Sequence, residues 1–355
     1  MKLSKYLTSM PEYVPSPNTY KIKLSTNESP YDLPDDIRAE IMEEWQKIPF
    51  NRYPDGRAVE LRKAAAAYYG VGLENIMASN GSGEWLKLIS EDLMEPGSKM
   101  MYLDPDFFIY YRNAGFTSGE TVKVKKGENG FITLEDFIAA IKREKPDYLQ
   151  FSNPCNPTGQ GFTVEEVKQI VEACGDAVVI VDEAYNDFYG ETYMHEAVKT
   201  DNVIVLRTCS KAIGLGGIRI GFAVACPKMI GYLTNIKSPY TVGRPAQIVG
   251  KVVFQHADYL REITNKIIAD RDATYEKLEA LAAKYPDKMI TIPSKSNAWF
   301  IRFSDSKAVV DELHARDIDV RDFPKSWIPH TRINVGTPEE NDALVAGIAA
   351  ALEKM

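Results

Sequence analysis

Tyr148-Leu149-Gln150-Phe151 followed by Ser152-Asn153-Pro154-Cys155-Asn156-Pro157-Thr158-Gly159, Ala177-Val178-Val179-Ile180-Val181 followed by Asp182-Glu183-Ala184-Tyr185, and Val203-Ile204-Val205-Leu206 followed closely by Thr208-Cys209-Ser210-Lys211 share one form. Each is a short apolar run that ends in polar, chemically capable residues. A fourth run, Lys99-Met100-Met101-Tyr102-Leu103, precedes them, and helical patterns at 58–69, 84–94, 133–143 and 163–174 are interspersed. Apolar runs of this length alternating with helical patterns predict βαβ units and a largely parallel sheet with helices on both faces. The fold class is therefore α/β.

Outward from that core the period changes. Residues from Pro245 to about Tyr285 are helical in pattern and unbroken by proline, which predicts one long helix linking two domains. After it come a strand at Ala298–Phe303, a helix at 306–316, strands near 318–321 and 331–335, and a closing helix at 338–354, which together predict a smaller α/β domain. Pro11, Pro15, Pro17 and Pro30 exclude a long helix from the first 30 residues and predict an extended arm. The expected division is an arm at 1–30 packing with the small domain, a large domain at 31–244 and a small domain at 245–355.

Composition narrows the function. The 355 residues, 45% of them hydrophobic, suffice for a large core and a second, smaller one. A net charge of −8, with no basic run longer than a pair, argues against nucleic acid as a partner. No apolar run approaches the roughly 18 residues of a membrane span, and Met1-Lys2-Leu3-Ser4-Lys5 lacks a secretory h-region, so a soluble cytoplasmic protein is expected. Cys155, Cys174, Cys209 and Cys226 form no CxxC pair and have no metal-like spacing to the four histidines, so reduced thiols and no metal are expected.

Ligands of parallel α/β sheets sit beyond the carboxyl ends of the strands, which is where the quoted polar residues fall. Taken singly, Asn156-Pro157-Thr158-Gly159 also reads as a turn, Asp182 as a helix cap and Lys211 as a solvated lysine. Their occurrence at successive strand ends favours a shared site.

Those motifs resemble the fold-type-I pyridoxal 5'-phosphate (PLP) enzymes, and within them the class I/II aminotransferases closest to histidinol-phosphate aminotransferase. The resemblance runs from Met10-Pro11-Glu12-Tyr13-Val14-Pro15 and Thr26-Asn27-Glu28 through Arg52-Tyr53-Pro54-Asp55-Gly56 and Asn80-Gly81-Ser82-Gly83-Glu84 to Arg332-Ile333-Asn334-Val335-Gly336-Thr337. Its most specific part is Ser210-Lys211-Ala212-Ile213-Gly214-Leu215-Gly216-Gly217-Ile218-Arg219-Ile220-Gly221, where the spacing from lysine to arginine matches the Schiff-base motif.

The resemblance implies a cofactor imine on Lys211, which then serves as general base. It implies Asp182 at the pyridine nitrogen, Asn156 and Tyr185 at the 3'-oxygen, and Phe107 stacked on the ring. Ser82, Gly83, Thr208, Ser210 and Arg219 would hold the phosphate, with Tyr53 supplied by the partner of a homodimer. A substrate carboxylate or phosphate would meet Arg332 and Arg321, since an arginine fork suits either anion. Tyr13 and Asn27 of the arm, and Asn156, are further substrate contacts.

The implied reaction is transamination between an amino acid or phosphorylated amine and a 2-oxo acid. A PLP decarboxylase resembling L-threonine-O-3-phosphate decarboxylase is the alternative, and a non-enzymatic PLP-binding regulator is more remote because no helix-turn-helix precedes the motifs. The chain departs from the histidinol-phosphate pattern at Pro239-Tyr240-Thr241-Val242-Gly243-Arg244-Pro245, where the usual amides are missing, and at Gly83 and Phe107. Lys237 and Arg244 are unassigned cations beside that departure.

Overall fold

A computed structural model describes residues 5–9, 19–117, 119–323 and 330–355. Its strands are β1 (Ile22–Leu24), β2 (Ile76–Ser79), β3 (Met100–Asp104), β4 (Thr121–Lys125), β5 (Tyr148–Ser152), β6 (Val178–Asp182), β7 (Val203–Thr208), β8 (Gly221–Val224), β9 (Met289–Ile290), β10 (Ala298–Phe303), β11 (Ile318–Asp322) and β12 (His330–Asn334). They form two sheets. The first has seven strands in the order β2-β8-β7-β6-β5-β3-β4, and the second has five in the order β1-β11-β12-β10-β9. In the larger sheet the run β7-β6-β5-β3-β4 is parallel, and only β8 opposes its neighbours.

The parallel strands are apolar on both faces because helices cover both. Val179 and Val181 of β6 join the core that holds Phe137, Val167 and Phe254, whereas Ile180 joins the core of Trp85, Tyr102 and Tyr110 on the opposite face. This period-two alternation fixes which way each strand-end residue faces. The helix Val164–Cys174 between β5 and β6 starts at a capping box, with Thr163 and Glu166 satisfying each other's free backbone N–H groups.

The five-stranded sheet alternates as well. Leu24, Trp299, Ile301, Phe303, Ile318, Val320 and Ile333 pack into its own core, beneath the closing helix Pro338–Lys354. Lys23, Asp319, Arg321 and Arg332 therefore lie on the other face. β1 belongs to the arm but pairs parallel with β11, so Lys23 registers with Asp319, and Arg321 registers with Arg332 across the antiparallel β11–β12 pair.

Two sequence expectations change. The pattern over 84–94 is a helix at Ser82–Leu88 followed by a π turn at Ile89–Leu93. The long linking helix is two helices, Arg244–Gln255 and Ala257–Lys284, because His256 leaves the helical region at φ −98°, ψ 54°. The break follows the packing. Val249, Val252 and Phe254 of the first helix join the larger sheet's core, Ile267 and Leu278 of the second join the smaller sheet's core, and His256 Nε2 lies 2.8 Å from Glu40 Oε2. A helix held by two cores bends where its partner changes, even without proline or glycine.

Candidate active site

A cavity of about 860 Å³ opens where the carboxyl ends of β5, β6 and β7 meet the polar face of the smaller sheet. Lys211, Asp182, Tyr185, Asn156 and Arg219 line one part of it, and Arg321 and Arg332 line another.

Asp182 is the last residue of β6, on the side of Tyr110. It is buried, with Oδ2 accepting the Tyr110 hydroxyl at 2.8 Å and Oδ1 accepting the Ala184 N–H at 3.1 Å. Burial pushes its carboxyl up to about 6, although both hydrogen bonds favour the anion. Among the described residues no lysine, arginine or histidine forms an ion pair with it.

Lys211 follows β7. Its Nζ donates to the Thr26 carbonyl at 2.9 Å and sits 5.8 Å from the centre of the Tyr185 ring. Burial, and after it the charge of Arg332, brings the amine down to about 8, against the pull of Glu28. A substantial fraction is then neutral and nucleophilic near pH 8.

Asn156 Oδ1 accepts from Arg332 Nη1 at 2.8 Å, while Arg332 Nη2 donates to the Ser25 carbonyl. With its oxygen committed to the guanidinium, the amide has its N–H groups left to donate. The Tyr185 hydroxyl is bonded to the Asn27 side chain, and burial raises it to about 12, so it stays a donor at physiological pH.

Ser82 and Gly83 line the cavity, and Gly81 stands just behind them against Arg219. Gly81 has φ +74°, and a Cβ there would stand 2.5 Å from Arg219 Nη2, whereas a Cβ at Gly83 would meet nothing within 4 Å. Arg219 donates to Ser210 Oγ at 3.2 Å and to the Gly216 carbonyl at 3.0 Å, and Ser82 opens the adjoining helix. Thr208 Oγ1 accepts the Ser210 N–H at 3.2 Å. Phe107 stands on the cavity wall, its ring 5.6 Å from that of Tyr110.

The chain matches the family described as aminotransferase class I and II over residues 19–348. It belongs to the class I and II aminotransferases. It is similar to the histidinol-phosphate aminotransferases of Clostridium kluyveri, 32% identical over 94% of each chain, and of Thermoanaerobacter sp. strain X514, 34% identical over 94% of this chain and 93% of that one. The solved histidinol-phosphate aminotransferase of Sinorhizobium meliloti in complex with pyridoxal 5'-phosphate covers 99% of this chain and 98% of its own, with TM-score 0.86 at 22% identity.

Aminotransferases of this family are PLP-dependent, and the residues present fit the cofactor. A buried carboxylate with no ion-pair partner among the described residues, a lysine amine of lowered pKa, and Ser82, Gly83, Ser210 and Arg219 together border one cavity. This aminotransferase is accordingly a PLP-dependent transaminase of fold type I.

Tyr53 is exposed, stacked 4.7 Å from Tyr240, and stands outside the cavity of its own chain. Asn27 is buried behind Tyr185, its backbone N–H bonded to Asn334 Oδ1 at 3.1 Å, so it does not line the cavity as a lid residue would. Tyr13 falls outside the described residues.

Sequence reading missed Tyr110, Asp106 and Ser25. Asp106 is buried and accepts the hydroxyl and N–H of Ser152, whose Oγ in turn accepts the Asn156 N–H at 3.0 Å. Tyr110 lies in the first turn of the helix Ile109–Ala114, just after Phe107, and nothing in the sequence marked it apart from its aromatic neighbours. Ser25 carried no signal either, since its contact with Arg332 is made by a main-chain carbonyl.

Proposed function

We propose that this enzyme transfers the amino group of a donor whose far end carries an anion to a 2-oxo acid, with histidinol phosphate, for which its relatives are named, as the leading donor. The observation that carries this is the Arg321–Arg332 register pair. Residues directly opposite on antiparallel strands present their side chains on one face, and both of these line the cavity that holds Lys211. Two guanidiniums side by side suit a phosphate, whose charge is spread over several oxygens.

PLP, when bound, supplies the aldehyde that captures the donor amine and the ring that accepts the electron pair released at Cα. Asp182 would stand at the ring nitrogen, where a protonated ring gives its carboxylate the cation it lacks. Asn156 and Tyr185 would donate to the 3'-oxygen, and Phe107 would cover one ring face. Ser82, Gly83, Thr208, Ser210 and Arg219 would hold the phosphate. Lys211 would anchor the cofactor and would then, as a neutral amine, take the proton from the donor's Cα.

Tyr53 would reach the phosphate of the neighbouring site as Tyr53 of the partner subunit. Its exposure and stacking on Tyr240 suit a surface covered by a second copy, so the working unit is a homodimer. A cytoplasmic location agrees with helices none of which, among the described residues, is long and apolar enough to cross a membrane.

The test is a single-turnover mixture of holoenzyme with histidinol phosphate, other phosphorylated amines and amino acids. Cofactor absorbance and released CO2 are followed together. Conversion of the cofactor to its amine form without CO2 is the expected result. CO2 without that conversion would make the enzyme a decarboxylase.

A further inference from the structure

Resting on the reading of a donor with a distal anion, we propose that Lys23 is a third cation for that anion and that Glu28 competes with the anion for it, so the pair sets how strongly the enzyme prefers a phosphorylated donor.

The placement follows from the smaller sheet. β1 contributes Leu24 to the core, and Ile22 packs against it, which turns Lys23 to the opposite face beside Arg321 and Arg332. Lys23, Arg321 and Arg332 thus come from three neighbouring strands, and all line the same cavity. Asp319, the register partner of Lys23, is buried and engaged by the Ser25 hydroxyl at 2.5 Å and by His314 Nε2 at 3.6 Å.

The carboxylate that does reach Lys23 is Glu28, 3.7 Å away on the same arm segment, where Thr26 Oγ1 also donates to it at 2.8 Å. Glu28 lines the cavity too. Both side chains are partly exposed, 33% for Lys23 and 52% for Glu28, and a pair at that separation in contact with water is held weakly. A phosphate dianion arriving between Lys23 and Arg321 offers more charge than one carboxylate and displaces Glu28 from the amine. A donor with a neutral tail leaves the pair closed.

Lys23 and Glu28 therefore act in opposite directions. In PLP holoenzyme, where the cofactor fills the inner phosphate cradle, Lys23→Met should weaken the binding of inorganic phosphate roughly tenfold, as expected for losing a charge-assisted contact. Glu28→Gln should tighten it by about threefold, the scale of a partly exposed ion pair. Calorimetric titration of holoenzyme with phosphate reads both. In turnover, Lys23→Met should raise KM for histidinol phosphate while leaving kcat and the constants for unphosphorylated histidinol near their starting values.

Shifts of phosphate affinity in the same direction for both variants, or none for Lys23→Met, would overturn the proposal. If Arg321→Met and Arg332→Met also left phosphate binding unchanged, the distal-anion reading itself would fall. If only the arginine variants weakened it, that reading would stand and the assignment of Lys23 would not.

Discussion

Asp182 and Glu183 are consecutive buried carboxylates at the tip of β6, and their surroundings could hardly differ more. Glu183 faces the core of Val205 and Phe254, where Arg207 Nη1 meets it at 3.1 Å, Thr192 Oγ1 and the Tyr193 N–H each donate to it at 2.6 Å, and Asp187 shares the arginine. Asp182 faces the cavity with a phenol and one backbone N–H for company. One carboxylate has its cation built in, and the other waits for one. Pairing marks the face that holds the sheet together, and incomplete pairing marks the face that does chemistry.

Substitutions can break this division. Lys211→Ala, on the cavity face, should lower steady-state turnover roughly 10⁴-fold without loss of folding, read by kinetics beside circular dichroism. Glu183→Gln, on the other face, should cost about 3–5 kcal/mol of unfolding free energy in denaturant titration, because Arg207 loses a buried partner. Turnover per folded molecule should change only a few-fold. Complete loss of turnover in fully folded Glu183→Gln would erase the distinction between the faces.

Asp182→Asn should move activity and stability in opposite directions. Burial pushes the folded carboxyl up to about 6, above the ordinary aspartate range, so its ionisation favours the unfolded chain. The stability this group contributes is full below about pH 4 and lost as pH rises through 6. The cofactor-free Asn variant should therefore match the parent near pH 4 and exceed it at pH 8 by on the order of 3 kcal/mol, while kcat/KM falls roughly 10²–10³-fold. Equal melting temperatures at both pH values would mean that Asp182 is not the strained member of the two.

The smallest effect is expected from Tyr110→Phe. Loss of a donor to the carboxylate should raise the Asp182 pKa further and move the pH at which this group's stability is fully lost upward by less than about one pH unit. An unmoved loss of stability on raising pH would show that the phenol does not support the anion.

The division was half legible in the sequence. Asp182, Asn156 and Lys211 could be found because a parallel sheet delivers its reactive residues just after apolar runs, and those runs are contiguous in the chain. The pairing of Glu183 with Arg207 could not, since two acidic neighbours look alike until the strand's facing direction is known. The smaller sheet was less readable for a similar reason. Period two says that Lys23 opposes Leu24, but only the distant pairing with β11 tells which face meets the cavity. The bend at His256 was hidden because it reflects a change of packing partner rather than a local breaker.

The arm strand also sets a schedule for making the protein. Ser25 and Arg332 meet across 307 positions of sequence, so the carbonyl that grips the arginine is synthesised long before the arginine exists. At about 5–20 residues per second, translation separates the two by roughly 15 to 60 s. During that interval the larger sheet can form, but β1 has no β11 to join, and the Thr26 carbonyl that holds Lys211 has no sheet to fix it. The competent pocket is thus among the last things the ribosome's product can acquire, and a chain that stalls in its final tenth would hold a nearly complete larger sheet with no finished active site.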